Sequence, residues 1–277
     1  MASPAVATTV MIVRHSNDIR QAAAIMKRMR HLTIVLAALV YAFVCNAAAE
    51  APCRSGAIGT AQVAVVRDGR TLVLDDGREL RLAAIEADDN GHGALQALVA
   101  GHALRLERLG EGIDRYGRLV AFAYPGEAAQ SLQIALLEQG QARVAARIGD
   151  KACAAALLAA ENRARLAGRG LWADPNFAPL SAENLPGLEA ANGHFALVEG
   201  KVLSVRESGA TIYVNFGRRW TRDFTVTILK RQQRTFTAAG LEPKRLEGRR
   251  IRVRGWIERR GGPIVAAEAP EQIEVLE

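Results

Sequence analysis

The feature that most constrains this fold is a succession of short apolar runs cut apart by turns. Ala61–Val66, Thr71–Leu74, Leu80–Ile85 and Leu119–Tyr124 are each strand-length. Asp68-Gly69 and Asp75-Asp76-Gly77 stand between them, with glycine available for positive φ. Leu104 and Leu106 alternate with Arg105 and Glu107, which predicts a further strand. Helical spacing occurs in three places: Ala94–Ala100 closed by Gly101, Ser131–Glu138 closed by Gly140, and the Ala- and Leu-rich stretch Ala152–Ala167. Five strands and three helices in so short a span predict an α+β unit built on a small barrel.

Residues 173–193 hold Pro175, Pro179 and Pro186 among Asn and Ala, the composition of a linker. Strand runs then resume at Phe195–Val205, Ala210–Phe216, Phe224–Ile228, Arg250–Ile257 and Ile264–Ala267. These predict a second small β-barrel with the look of an OB fold. The expected organisation is an N-terminal extension and signal segment over 1–49, a first unit over 50–174, a linker over 175–193 and a basic β unit over 194–277.

Charge divides along the same lines. The net charge of +7 arises as about +4 in residues 1–49, −3 in residues 50–193 and +6 in residues 194–277. One basic surface running through the whole chain is thereby excluded. Lys27, Arg28, Arg30 and His31 precede the apolar run Leu32–Val44, and Ala47-Ala48-Ala49 follows it. A basic patch, a short apolar run and small residues describe an export signal, with Met26 as the expected start. The protein is then periplasmic or secreted; an uncleaved segment would instead anchor it to a membrane. Beyond the signal only Cys53 and Cys153 remain. An even pair in an exported chain reads as a disulfide, and two buried free thiols is the other reading.

Three clusters in the first unit can carry chemistry: Asp68-Gly69-Arg70-Thr71, then Arg81 to Asp89, then Asp114-Arg115-Tyr116-Gly117-Arg118. Carboxylates on loops suit a hard cation, and guanidinium forks beside them suit phosphate. Taken singly, each cluster also reads as a solvated strand face or a capped turn.

Their order and spacing resemble the staphylococcal nuclease (thermonuclease) family over residues 58–174. Asp114-Arg115-Tyr116-Gly117-Arg118 before an apolar strand is the most specific match. Asp68-Gly69-x-Thr71, Arg81-Leu82-x-x-Ile85, and Leu136-Leu137-x-x-Gly140 before Ala142-x-Val144 support it. The resemblance implies an OB barrel with three helices and Ca²⁺-assisted hydrolysis of DNA and RNA. It implies Arg81 and Arg118 as catalytic arginines, Asp89 as general base or water-orienting group, and Glu86 with Asp68 as metal ligands. Arg70, Arg115 and Tyr116 would meet the nucleic acid. The sequence departs from the family pattern at Arg70, which replaces a usual acidic ligand, and at Asp89, one methylene shorter than the usual Glu. Replacing a carboxylate by a guanidinium changes the charge by two units. At ~5 Å and an effective dielectric near 20 each unit is worth roughly 3 kcal/mol against a cation.

The second unit interleaves cations with aromatics. Arg218, Arg219, Trp220, Lys230, Arg231, Arg252 and Arg254 are its candidate nucleic-acid contacts, since exposed rings stack bases while cations hold phosphates. Packing of those rings into the barrel core is the competing reading. Another polyanion would satisfy the same charge. Three functions are thus expected in order: an exported phosphodiesterase, a catalytically inactive nucleic-acid or polyanion-binding envelope protein, and a structural envelope protein.

Overall fold

The computed structural model describes Cys53, residues 56–148 and residues 150–276. The expectations for residues 1–49, including the apolar run and Met26, lie outside the described residues. Among the described residues no helix is long and apolar enough to cross a membrane. Residues 51–277 make one compact unit with two hydrophobic cores.

The first half supplies β1 (Ala57–Ala61), β2 (Val63–Val66), β3 (Thr71–Leu74), β4 (Glu79–Leu82), β5 (Ile85–Glu86), β6 (Leu104–Ile113), β7 (Leu119–Pro125) and β8 (Arg143–Val144). Its helices are α1 (His92–Val99), α2 (Leu132–Glu138) and α3 (Lys151–Leu166). Six strands form one sheet in the order β1-β6-β7-β4-β3-β2. Only Gln62 separates β1 from β2, yet these are the two edges, so the sheet curls round on itself. The β4–β7 pair is parallel and the other pairs are antiparallel. Leu72, Leu80, Phe122, Leu136 and Leu157 fill the interior. Gln133 of α2 clasps β7 by donating to the Ala121 carbonyl at 2.9 Å and accepting from the Ala123 amide at 3.3 Å. Asp150 caps α3 by accepting from the Cys153 amide at 2.6 Å. Cys153, one turn into that helix, is disulfide-bonded to Cys53.

The second half contributes β9 (Leu180–Ser181), α4 (Leu185–Ala190), β10 (Phe195–Lys201), β11 (Ser204–Ser208), β12 (Thr211–Asn215), β13 (Thr225–Leu229), α5 (Gln233–Ala238), β14 (Arg250–Trp256), β15 (Glu258–Arg260), β16 (Gly262–Ala266) and β17 (Ile273–Val275). They form two sheets, β17-β14-β10-β9 and β11-β12-β13-β16-β15. β10 runs on into β11, and β14 into β15, so two long bent strands belong to both sheets and link them. The Pro-rich stretch expected as linker is folded instead. β9 pairs in parallel with β10, Pro186 sits in the first turn of α4, and Leu188 is fully buried in the second core. A proline there needs no amide donor and presets helical φ, so composition that reads as linker also starts a helix.

The two halves are joined through α3. Arg254 of β14 is 1% exposed and meets Glu161 of α3 at 3.0 and 2.7 Å, the Val144 carbonyl at 3.1 Å and Glu274 of β17 at 2.6 Å. Burial alone would lower its pKa, but Glu161 and Glu274 outweigh burial and hold it above the ordinary arginine value. Glu161 also accepts from the Val144 amide at 2.7 Å.

Candidate functional site

Strand β4 places Arg81 opposite Thr71 of β3 and Val120 of β7. After Leu82 the chain reverses through Ala84, whose φ of +62° is the left-handed conformation rarely taken by a residue with a Cβ. The reversal carries Glu86 back to Arg81, whose Nη2 lies 3.6 Å from Glu86 Oε1. Asp68 folds its own turn by accepting from the Arg70 amide at 2.8 Å. From that turn Arg70 Nη1 donates to Glu86 Oε2 and to the Ile85 carbonyl at 3.3 Å. Gly69 makes this approach possible, since a Cβ there would lie 2.2 Å from the Asp88 carbonyl oxygen. β5 pairs with β8 so that Arg143 stands directly across from Glu86.

Arg118 enters from the turn before β7. Asp114 accepts from the Tyr116 and Arg118 amides at 2.9 and 3.0 Å, and from Arg118 Nε and Nη2 at 2.8 and 2.7 Å. Burial opposes ionisation of Asp114, but these hydrogen bonds prevail and hold its pKa below the usual carboxylate value. Tyr116 is 66% exposed and flanked by the Arg115 and Arg118 guanidinia, 4.7 and 5.2 Å from its ring centre.

These arginines share one electrostatic field. Burial, then the charge of Arg118, lowers the pKa of Arg81, with Asp114 and Asp68 opposing. Burial, then Arg81, lowers that of Arg70 to about 10; Arg118 and Arg143 add to the effect and Asp68 opposes it. Glu86 lies against the Arg70 guanidinium and favours its charged form. At neutral pH the guanidinia of Arg70 and Arg81 share the Glu86 carboxylate, and Arg118, held by Asp114, adds its charge to the same field. Such a cluster binds an oxyanion.

The residues present do not fit a calcium ion. Calcium takes six to eight oxygen ligands, several of them anionic. Here Arg70 and Arg81 each reach one oxygen of Glu86, and Asp68 is engaged in its own turn. No group of three His, Cys, Asp or Glu side chains able to hold a metal exists among the described residues. The expectation that Glu86 and Asp68 ligate Ca²⁺ is corrected on that ground: the cation already present there is the Arg70 guanidinium. Asp89 is exposed and opens a short 3₁₀ turn capped by Asp88, which accepts from the Asn90 amide at 3.0 Å. Among the described residues no ion pair joins Asp89 to the arginines.

In the second half, Arg218, Arg219 and Trp220 are exposed on the loop between β12 and β13, with Trp220 70% exposed. Lys230 pairs with Glu207 at 2.9 Å, and Arg231 is exposed. Arg252 and Arg254 are corrected as nucleic-acid contacts. Arg252 is buried between Glu199 and Glu274, at 2.7 and 3.2 Å, and Arg254 is locked to Glu161. β14 lies between β10 and β17, whose Glu199 and Glu274, with Glu161 of α3, cover Arg252 and Arg254, while Arg250 at the strand's start stays exposed.

Two clefts adjoin the arginine cluster. One of about 370 Å³ is lined by Arg81, Glu86, Arg147 and Trp256 among others; one of about 690 Å³ is lined by Arg70, Glu86, Arg143, Phe177, Phe195 and Trp256 among others. Glu86 and Trp256 border both. Sequence reasoning missed Arg143, although it is the unnamed middle residue of Ala142-x-Val144, and missed that Trp256 stands beside the first unit. No curated protein matches this chain. Residues 88–174 match the model of the family described as staphylococcal nuclease homologue, a span that takes in Asp89, Asp114 and Arg118 and begins just after Glu86. Over those residues the chain is similar to the staphylococcal nuclease homologue family.

Proposed function

We propose that this protein binds the phosphodiester backbone of DNA or RNA through Arg70, Arg81 and Arg118, with the Arg70 guanidinium supplying the positive charge that a metal ion would otherwise bring. The observation that carries this reading is the pairing of Arg70 and Arg81 with the two oxygens of Glu86. Each guanidinium has five N–H donors, so both keep donors for a phosphate. The curled sheet with three helices supports an OB-type barrel for the first unit, and the two bent strands support an OB-like barrel for the second. The Cys53–Cys153 disulfide supports an oxidising compartment, periplasmic or secreted, with a membrane-anchored form if the N-terminal segment is retained. The exposed Arg218, Arg219 and Trp220 loop would extend the contact with nucleic acid or another polyanion. A filter-binding series over increasing salt, with EDTA or Ca²⁺, tests the proposal. Binding should persist in EDTA, weaken steeply with salt, and fall about tenfold or more in Arg118→Ala. Absence of binding at low salt would overturn it.

Phosphodiester hydrolysis is the second reading. It is favoured by the shared field of Arg81 and Arg118 and by a family match that includes Asp89 and Arg118. The two guanidinia would stabilise charge developing on the phosphate, and Asp89 would take the proton of an attacking water. Digestion of plasmid and single-stranded DNA by wild type and Arg118→Ala decides it. Cleavage lost in the variant upholds hydrolysis; no cleavage by wild type leaves binding alone.

A further inference from the structure

The larger cleft has a composition that phosphate binding alone leaves unexplained. Its volume of about 690 Å³ falls in the range of small-ligand sites. Arg70, Glu86 and Arg143 come to it from the first half, and Phe195 and Trp256 from the second. Arg143 lies 5.5 Å from the Phe177 ring centre and 5.2 Å from that of Phe195, and donates to the Phe195 carbonyl at 2.9 Å. Its Nε is buried without a partner in the protein. Phe195 is nearly buried and meets the indole of Trp256 edge-on, with ring centres 6.2 Å apart and planes at 73°. A perpendicular neighbour props the indole on one side only, and Trp256 remains 48% exposed.

A propped, half-exposed indole beside guanidinia suits a planar ring that carries a phosphate. The carboxylates in the cleft do not oppose this. Glu86 is neutralised by Arg70 and Arg81, and Asp88 accepts from the Asn90 amide in its capping turn. We infer that this cleft takes an unpaired nucleobase, stacked on Trp256, while the phosphate attached to it is held by the neighbouring arginine cluster. Because Trp256 and Glu86 also border the cleft containing Arg81, a single strand can pass from one to the other with its backbone on the guanidinia. A base within a duplex is stacked on both faces and cannot reach the indole, so the protein prefers single strands. This inference rests on the phosphodiester reading above.

The test compares a fluorescein-labelled oligothymidylate with an abasic oligomer of equal length, which keeps the phosphates and lacks the rings. Anisotropy is measured on the full chain at low salt, in EDTA. Wild type should bind the oligothymidylate about tenfold or more tighter than the abasic strand, as expected for stacking of one base. Trp256→Ala should abolish that difference and leave abasic binding unchanged, while Trp256→Phe should retain most of it. Equal affinity of wild type for both strands, or an equal loss on both in Trp256→Ala, would overturn the base cleft and leave the phosphodiester reading intact. Failure of wild type to bind either strand would overturn both.

Discussion

Two arginine–carboxylate clusters in this molecule use the same chemistry to opposite ends. Around Glu86, Arg70 and Arg81 each reach one oxygen, and the cluster stays partly open to two clefts. Around Arg254, Glu161 and Glu274 share one guanidinium that is sealed from water. In the open cluster two guanidinia meet the one carboxylate of Glu86, and both arginines are pulled down in pKa by burial and then by neighbouring arginines, with Asp68 opposing. The sealed cluster has more anions than cations, and its arginine is pushed up. An excess of positive charge at an accessible site attracts an anion from solution. An excess of carboxylate around a buried arginine binds the two halves together.

The largest expected effect lies in the sealed cluster. Arg254→Ala should destabilise the protein by about 3–5 kcal/mol, because it leaves the buried Glu161 without its counterion, while Glu274 keeps Arg252. Chemical denaturation measures the loss. An effect near that of a surface substitution would mean that the pair does not join the halves. The open cluster should respond differently. Arg70→Asp combined with Asp89→Glu should cost some stability, since Glu86 loses its Arg70 partner, but raise Ca²⁺ affinity by about a hundredfold, following the two-unit change of charge. Calorimetric titration with Ca²⁺ reads the gain, and no gain would show that Arg70 does not set the metal preference of the site. The smallest effect concerns the Asp114 turn. Its folded pKa lies below the unfolded value, so its contribution to stability is present at neutral pH and is lost as pH falls through the folded pKa. The Arg118 side-chain NMR signals should therefore hold constant down to the ordinary carboxylate range and shift below it. A shift centred above that range would break the assignment.

Local patterns made much of the fold legible before any coordinates. Asp75-Asp76-Gly77 predicts the β3–β4 hairpin, and Ala152–Ala167 predicts α3 almost to the residue. The expected strand Leu80–Ile85 breaks in two because Ala84 adopts positive φ, which nothing in an alanine announces. In the site, the Asp114 turn is readable because its hydrogen bonds span only four residues. The Arg70–Glu86 pair spans sixteen residues and depends on two loops meeting at Gly69. Arg252 and Arg254 mislead for a related reason. Alternation distinguishes the two faces of a strand but does not say whether a face is covered, and β17 and α3 bring carboxylates to both residues.

Glu161 gives the chain a further property. It belongs to the first half by sequence and satisfies a strand of the second half by charge. Truncation after Asp174 would take away the guanidinium that Glu161 meets and erase one wall of each cleft. The first half of this protein thus leans on the second for a charge partner, and an isolated fragment ending there would be a poor stand-in for the whole.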